Sequence, residues 1–123
     1  MAKVTGLGGI FFKARDPKAL DAWYAKHLGL PVTNFGGAMF AEDEKRPGVT
    51  LWTAFKQESD KFNPSTKEFM FNFRVDDLRA LLAQLRSEGV QVDDKMDDSE
   101  YGRFGWCMDP EGNRIELWEP PAE

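Results

Sequence analysis

This chain of 123 residues repeats itself, and the repeat limits what it can fold into. Placing Phe12 on Phe73 brings Asp16 onto Asp77, Ala19 onto Ala80, Leu20 onto Leu81 and Ala22 onto Ala83. After a one-residue gap, Gly29 falls on Gly89 and Val32 on Val92. Near the ends of the halves, Leu51-Trp52 matches Leu117-Trp118. A repeated unit lacks a complete core of its own and must pack against its neighbour.

Each copy has the same order of elements. In the first, residues 7–14 form a strand, and Asp16-Pro17 starts a helix as N-cap and first helical residue. Leu20, Trp23, Tyr24 and Leu28 fall on one helical face, and Gly29 stops the helix. Short strands follow near 31–35, near 38–41 and at 48–55, with the charged stretch 42–48 as a hairpin tip. In the second copy, residues 69–75 alternate cleanly as a strand. Asp77 caps a helix with Leu78, Leu81, Leu82 and Leu85 as its buried stripe, ended by Gly89. Val90 and Val92 begin a strand, 93–100 is an acidic loop, and 101–108 is a strand. The expectation is an α+β fold of two βαβββ modules, about 5–56 and 67–120. A polar linker, 57–66, joins them within one domain spanning 1–123.

The last strand is the most informative stretch. Asp109-Pro110-Glu111-Gly112 is a turn, with Pro presetting φ and Gly112 free to take φ > 0. Beyond it, Ile115 and Leu117 share one strand face, and Arg114, Glu116 and Trp118 the other. An acid, a base and a large aromatic suit a pocket wall, although a half-exposed strand with solvated charges has the same pattern.

Strand parity extends this to both modules. Ile10, Phe12, Ala14, Phe69, Phe71, Phe73 and Val75 should pack under the helices, joined by Val49, Leu51, Ile115 and Leu117. The opposite, concave face should carry Gly9, Phe11 and Lys13; Thr50 and Trp52; Met70, Asn72 and Arg74; and Arg114, Glu116 and Trp118. Trp52 and Trp118, at matched positions, should face one cleft. Aromatics mixed with a few polar groups describe a small-molecule site; a solvated sheet face or a dimer interface are the alternatives. Ten Phe and four Trp in a chain this short fit the pocket reading.

Composition removes other classes. Hydrophobic content of 41% and charged content of 30% are ordinary for a soluble protein. A net charge of −5 disfavours nucleic acid and anionic membranes. No run approaches transmembrane length and no signal peptide is visible, so a cytoplasmic location is expected. The single cysteine, Cys107, excludes an internal disulfide and fits a reducing compartment. It lacks a His or CxxC partner and reads as an inert thiol. His27, the one histidine, sits at a helix C-terminus, where positive charge is favourable. Asp93, Asp94, Asp97 and Asp98 lack EF-hand spacing and read as a solvated loop.

The motifs FFKARDPKALDAWYAKHLGLPV, FRVDDLRALLAQLRSEGVQV and DPEGNRIELWEP together resemble the vicinal oxygen chelate superfamily, the glyoxalase, bleomycin-resistance and extradiol-dioxygenase group. The resemblance spans about 7–120. It implies a glyoxalase-like fold of paired modules with curved mixed sheets round a cleft, commonly in a homodimer. Metal-dependent members place ligands at four equivalent points, which fall here on Gly9, Thr50, Met70 and Glu116. Only Glu116 is a ligand type, so no metal and no cofactor is expected.

The functional expectation is therefore a metal-independent small-molecule binding protein of the glyoxalase/bleomycin-resistance type. Phe11, Trp52 and Trp118 would enclose an aromatic or apolar ligand. Lys13, Thr50, Met70, Asn72, Arg74, Arg114 and Glu116 would complete the wall, with Arg74 or Arg114 pairing Glu116. The alternative is a metal-free lyase or isomerase with Glu116 as general base. A divalent-metal glyoxalase or dioxygenase stands last.

Overall fold

A computed structural model describes residues 2–28, 30–40, 49–109 and 112–122, with only the backbone of Trp23, Tyr24, Lys26, His27 and Leu28. The expected hairpin tip at 42–48, the helix stop at Gly29, the inner residues of the 109–112 turn and the side chain of His27 lie outside the described residues. The elements are β1 (Val4–Ala14), α1 (Pro17–Leu28), β2 (Ala38–Phe40), β3 (Thr50–Lys56), β4 (Phe69–Val75), α2 (Leu78–Ser87), β5 (Asp97–Ser99), β6 (Gly102–Met108) and β7 (Arg114–Glu119). The strands form one curled sheet in the order β2-β3-β1-β4-β7-β6-β5, a half-barrel of mixed α+β type, as expected. β1 and β4 run antiparallel at its centre, and each has a parallel partner outside it, β3 and β7. No helix among the described residues is long and apolar enough to cross a membrane.

Both helices begin as their sequences dictate. The Asp16 carboxylate accepts from the Ala19 N–H at 3.1 Å, and the Asp77 carboxylate from the Ala80 N–H at 3.1 Å. Each satisfies a donor that the first turn leaves unpaired. α1 lies against β1 and β3, and α2 against β6 and β7. The α2 stripe forms the principal core, where Leu78, Leu81 and Leu82 pack with Val75, Cys107 and Leu117. Phe73 and Ile115 border the same cluster, so β4 and β7 have the expected parity.

β3 does not. Gly9 pairs with Leu51 and Phe11 with Thr53, so Leu51, Thr53 and Phe55 share the concave face with Phe11. Leu51 and Phe55 pack against the concave cluster of Phe11, Phe62, Met70 and Trp106. Trp52 lies opposite Ile10, and its ring sits 5.2 Å from that of Phe12 on the helix-bearing face. Thr50 alternates with Leu51 and falls on the side of Trp52. Matching Leu51-Trp52 to Leu117-Trp118 was three residues out of register, since Thr53 opposite Phe11 corresponds to Glu116 opposite Asn72, and a slip by an odd number of residues turns every side chain to the other face.

Further expectations change: the strand that Val90 and Val92 should begin is reduced to a single bridge between Val92 and Cys107. The acidic stretch 93–100 contains β5, which pairs antiparallel with β6. Asp97, Asp98 and Ser99 are all exposed, and an edge strand wet on both faces carries no alternating pattern to read. The strand expected near 31–35 is reduced to a single bridge between Val32 and Ala38.

Candidate functional site

The concave face divides into a filled part and an open part. Phe62, from the segment expected to be a linker, enters the filled part and is fully buried. Its ring lies 5.0 Å from that of Phe55, and the Lys13 ammonium sits 5.6 Å above it. Phe11 and Met70, expected to meet ligand, are instead core residues at 4% and 2% exposure. Polar composition hid this, because a single aromatic in KQESDKFNPSTK carries no periodic signal.

Glu116 sits on β7 beside that core. It faces Asn72, its register partner on β4, and Trp106, its partner on β6. Asn72 Nδ2 donates to Oε1 at 2.5 Å, and Trp106 Nε1 donates to Oε2 at 3.0 Å. Burial raises the Glu116 pKa; the two hydrogen bonds and the charge of Arg114 oppose it but do not prevail. The expected arginine clamp is absent among the described residues. Arg114 Nη1 and Nη2 each donate to Asp93 Oδ2 at 3.3 Å, and the guanidinium lies 5.2 Å from the centre of the Trp106 ring. The Arg74 guanidinium lies alongside Gly6, where an added Cβ would come within 2.8 Å of Nη2.

The raised Glu116 pKa has a measurable sign. The folded state holds this proton more tightly than the unfolded chain, whose value is near 4.5. Wild-type stability should therefore fall, relative to Glu116→Gln, as pH rises from about that value through the folded pKa, and the difference should then level off. Denaturant melts of both proteins across that range check it. A difference that grows in the wild type's favour with rising pH would contradict it.

The family's metal positions do not fit an ion. Gly9 has no side chain, and a Cβ there would meet the Leu51 carbonyl at 2.6 Å. Met70 is packed in the core, Thr50 faces the wrong side, and both Glu116 oxygens already accept from protein donors. Among the described residues, no three His, Cys, Asp or Glu side chains are grouped to hold a metal.

The open part of the concave face is an apolar cavity of about 550 Å³. β2 and β3 supply Met39, Leu51 and Thr53, and Val49 precedes β3. The loop before β2 supplies Phe35, and the β5–β6 region supplies Glu100, Tyr101 and Phe104. β7 and the residues after it supply Trp118, Pro120 and Pro121. The Phe104 and Trp118 rings are parallel to within 5° with centroids 6.0 Å apart, and Trp118 Nε1 donates to the Tyr101 carbonyl at 2.8 Å. Phe35 meets Tyr101 edge-on at 5.9 Å.

Of the residues expected at the site, only Trp118 lines this cavity. Phe11, Met70, Asn72 and Glu116 lie on the concave side but in the packed or hydrogen-bonded part. Lys13 covers Phe62, Arg74 and Arg114 are placed as above, and Thr50 and Trp52 face away. Phe104 and Trp106 were legible in principle: they alternate in YGRFGWCM and pair across the turn with Trp118 and Glu116. Phe35 and Tyr101 sit in turns, where no periodicity marks them. A second, more polar cavity of about 720 Å³ borders the start of α1 and includes Asp16, Lys18 and Lys56; among the described residues Phe35 is the one aromatic in its lining.

The fold is shared with known structures. A Streptomyces coelicolor methylmalonyl-CoA epimerase, in complex with 2-nitronate-propionyl-CoA, superposes with a TM-score of 0.74 at 18% identity, over 98% of this chain and 100% of that one. Methylmalonyl-CoA epimerase from Mycobacterium tuberculosis gives 0.64 at 25% identity, over 96% and 89%. A structure described as an NAD-dependent benzaldehyde dehydrogenase from Legionella pneumophila gives 0.62 at 14% identity, over 92% and 98%. No curated protein matches the sequence. The family described as "Glyoxalase-like domain" matches residues 9–118, the span that runs from the central strand β1 to the cavity wall at Trp118. With that match and the curled sheet built from it, the chain belongs to the glyoxalase-like domain family, within the vicinal oxygen chelate superfamily.

Proposed function

We propose that this protein is a metal-independent small-molecule binding protein whose ligand is aromatic or apolar. The observation that carries this reading is the cavity of about 550 Å³ with its aromatic and aliphatic walls, a size and character suited to a small organic molecule. Metal independence is supported by the donor set: one carboxylate, already held by Asn72 and Trp106, with a glycine and a core methionine at two of the other points. A lone buried thiol at Cys107, pushed upward by burial, suits a cytoplasmic location.

The same reading includes a homodimer. On the helix-bearing face, Leu7, Ile10, Phe69 and Phe71 are 38–49% exposed and adjacent through β1–β4 pairing. A contiguous apolar patch on a sheet face is the kind of surface that a second copy covers.

Native mass spectrometry of the purified protein tests these points together. The expected result is a dimer mass with no stoichiometric divalent metal after dialysis, binding one apolar aromatic probe per chain. About one metal equivalent per chain, lost on Glu116→Gln, would overturn metal independence. A mass of monomer alone at micromolar concentration would overturn the dimer.

A second reading, a metal-free lyase or isomerase, is favoured by one observation: a buried carboxyl with raised pKa is the usual form of a general base at neutral pH. The epimerases that share the fold are a precedent for an enzyme on it. Glu116 lies outside the lining of the open cavity, however, and a substrate would have to reach it past the core around Trp106.

A further inference from the structure

We infer that the cavity selects a positively charged ligand, an aromatic or apolar body bearing a protonated amine or a quaternary ammonium. This rests on the cavity being the ligand site, and it names the class of ligand.

Four aromatic side chains from three separate segments converge on the cavity: Phe35, Tyr101, Phe104 and Trp118. Aromatic faces carry negative potential and attract cations within about 6 Å of the ring centre. The Trp118 N–H is already given to the Tyr101 carbonyl, so the indole, stacked on Phe104, has no free donor for a ligand. Phe35 is 82% exposed and Tyr101 51%, and they touch edge-on at 5.9 Å. A ligand between the two pairs would cover rings that water now wets.

Charge points the same way. Glu100 is the only charged residue among the described residues lining the cavity. Four basic side chains of the second half are engaged in ion pairs with other carboxylates. Arg103 pairs with Asp98 and Glu119, each at 3.3 Å, Lys95 with Asp97 at 3.8 Å, Arg79 with Asp98 at 3.9 Å and Arg114 with Asp93 at 3.3 Å. Among the described residues Glu100 has no ion-pair partner. A cation would meet ring faces and this carboxylate. An anion would meet both of them and no cation among the described lining residues.

Three probes with one ring system separate charge from shape: (1-naphthylmethyl)trimethylammonium, 1-naphthalenemethanol and 1-naphthylacetate. Binding is measured by calorimetry, and the site is identified by the shift of the assigned Trp118 indole N–H resonance. The cation should bind about tenfold tighter than the neutral alcohol, and the anion weakest. Glu100→Gln and Tyr101→Leu should each shrink the cation's advantage to about threefold or less, while binding of the alcohol changes little with Glu100→Gln. If the alcohol binds as tightly as the cation, the charge selection is wrong and the apolar site stands. A cation preference that survives both substitutions also overturns it. If no probe shifts the Trp118 resonance, the cavity is not the ligand site and both readings fall.

Discussion

Phe62→Ala should cost about 3–5 kcal/mol of folding stability, the usual range for emptying a buried Phe site. Phe62 has no exposed surface, and it seals Phe11, Met70 and Trp106 on the concave side. Removing the ring leaves those three without a lid, and it also removes the surface over which the Lys13 ammonium lies. Phe62→Leu should recover much of the loss, because it restores volume without the ring. Urea or guanidinium melts of the three proteins measure both differences. A cost below about 1 kcal/mol for the alanine would mean that residues 57–66 do not close the cleft in solution. The expected order of the melts therefore tests whether a segment with the composition of a linker is part of the core.

Gly8→Ala should be comparably damaging for a different reason. A Cβ on Gly8 would lie 1.6 Å from Asn72 Oδ1 and 2.6 Å from its Cγ, so the amide must move. Asn72 is fully buried, and its Nδ2 is one of two donors to Glu116. Overpacking and a lost hydrogen bond to a carboxylate are each worth about 1–3 kcal/mol, so a total near 3 kcal/mol or more is expected. The Glu116 pKa should rise further, since one of the hydrogen bonds that lowers it is broken. Carboxyl-carbon NMR of Glu116 reads that shift. Combining Gly8→Ala with Asn72→Ala should cost less than the sum of the two, because the second removes the atoms with which the first collides. Simple additivity would show that the two residues do not meet.

What was legible in the sequence follows the strength of local patterns. α2 has a strong stripe and an Asp cap, and both its place and its buried face match expectation. β4 and β7 alternate between bulky apolar and polar residues, so their parity was readable. β3 reads TLWTAFK, with apolar residues on both faces, and parity there rested on a match to β7 that was three residues off. That slip put Trp52 in the expected cleft, where the structure instead has Leu51 and Thr53. The partners of Glu116 were hidden for a related reason. Two arginines on its own predicted face were natural counter-charges, yet Arg114 is held by Asp93, twenty-one residues earlier in sequence. No local pattern predicts that preference. The cavity itself depends on Phe35 and Tyr101, whose meeting is a property of the closed sheet and not of either turn.

The sheet's outermost strand on the second side, β5, has three residues, two of them aspartates, and all are exposed. An open strand edge is a template on which another chain can hydrogen-bond, and nascent or partly unfolded copies are the most prone to do so. At β5 an added strand would have to align its backbone along a row of carboxylates, and it would disturb the ion pairs that Asp97 and Asp98 make with Lys95, Arg79 and Arg103. That border is therefore closed to head-to-tail growth of the sheet. Copies of this chain that associate are directed away from open-ended fibres at this edge and toward contacts between faces, which close on themselves.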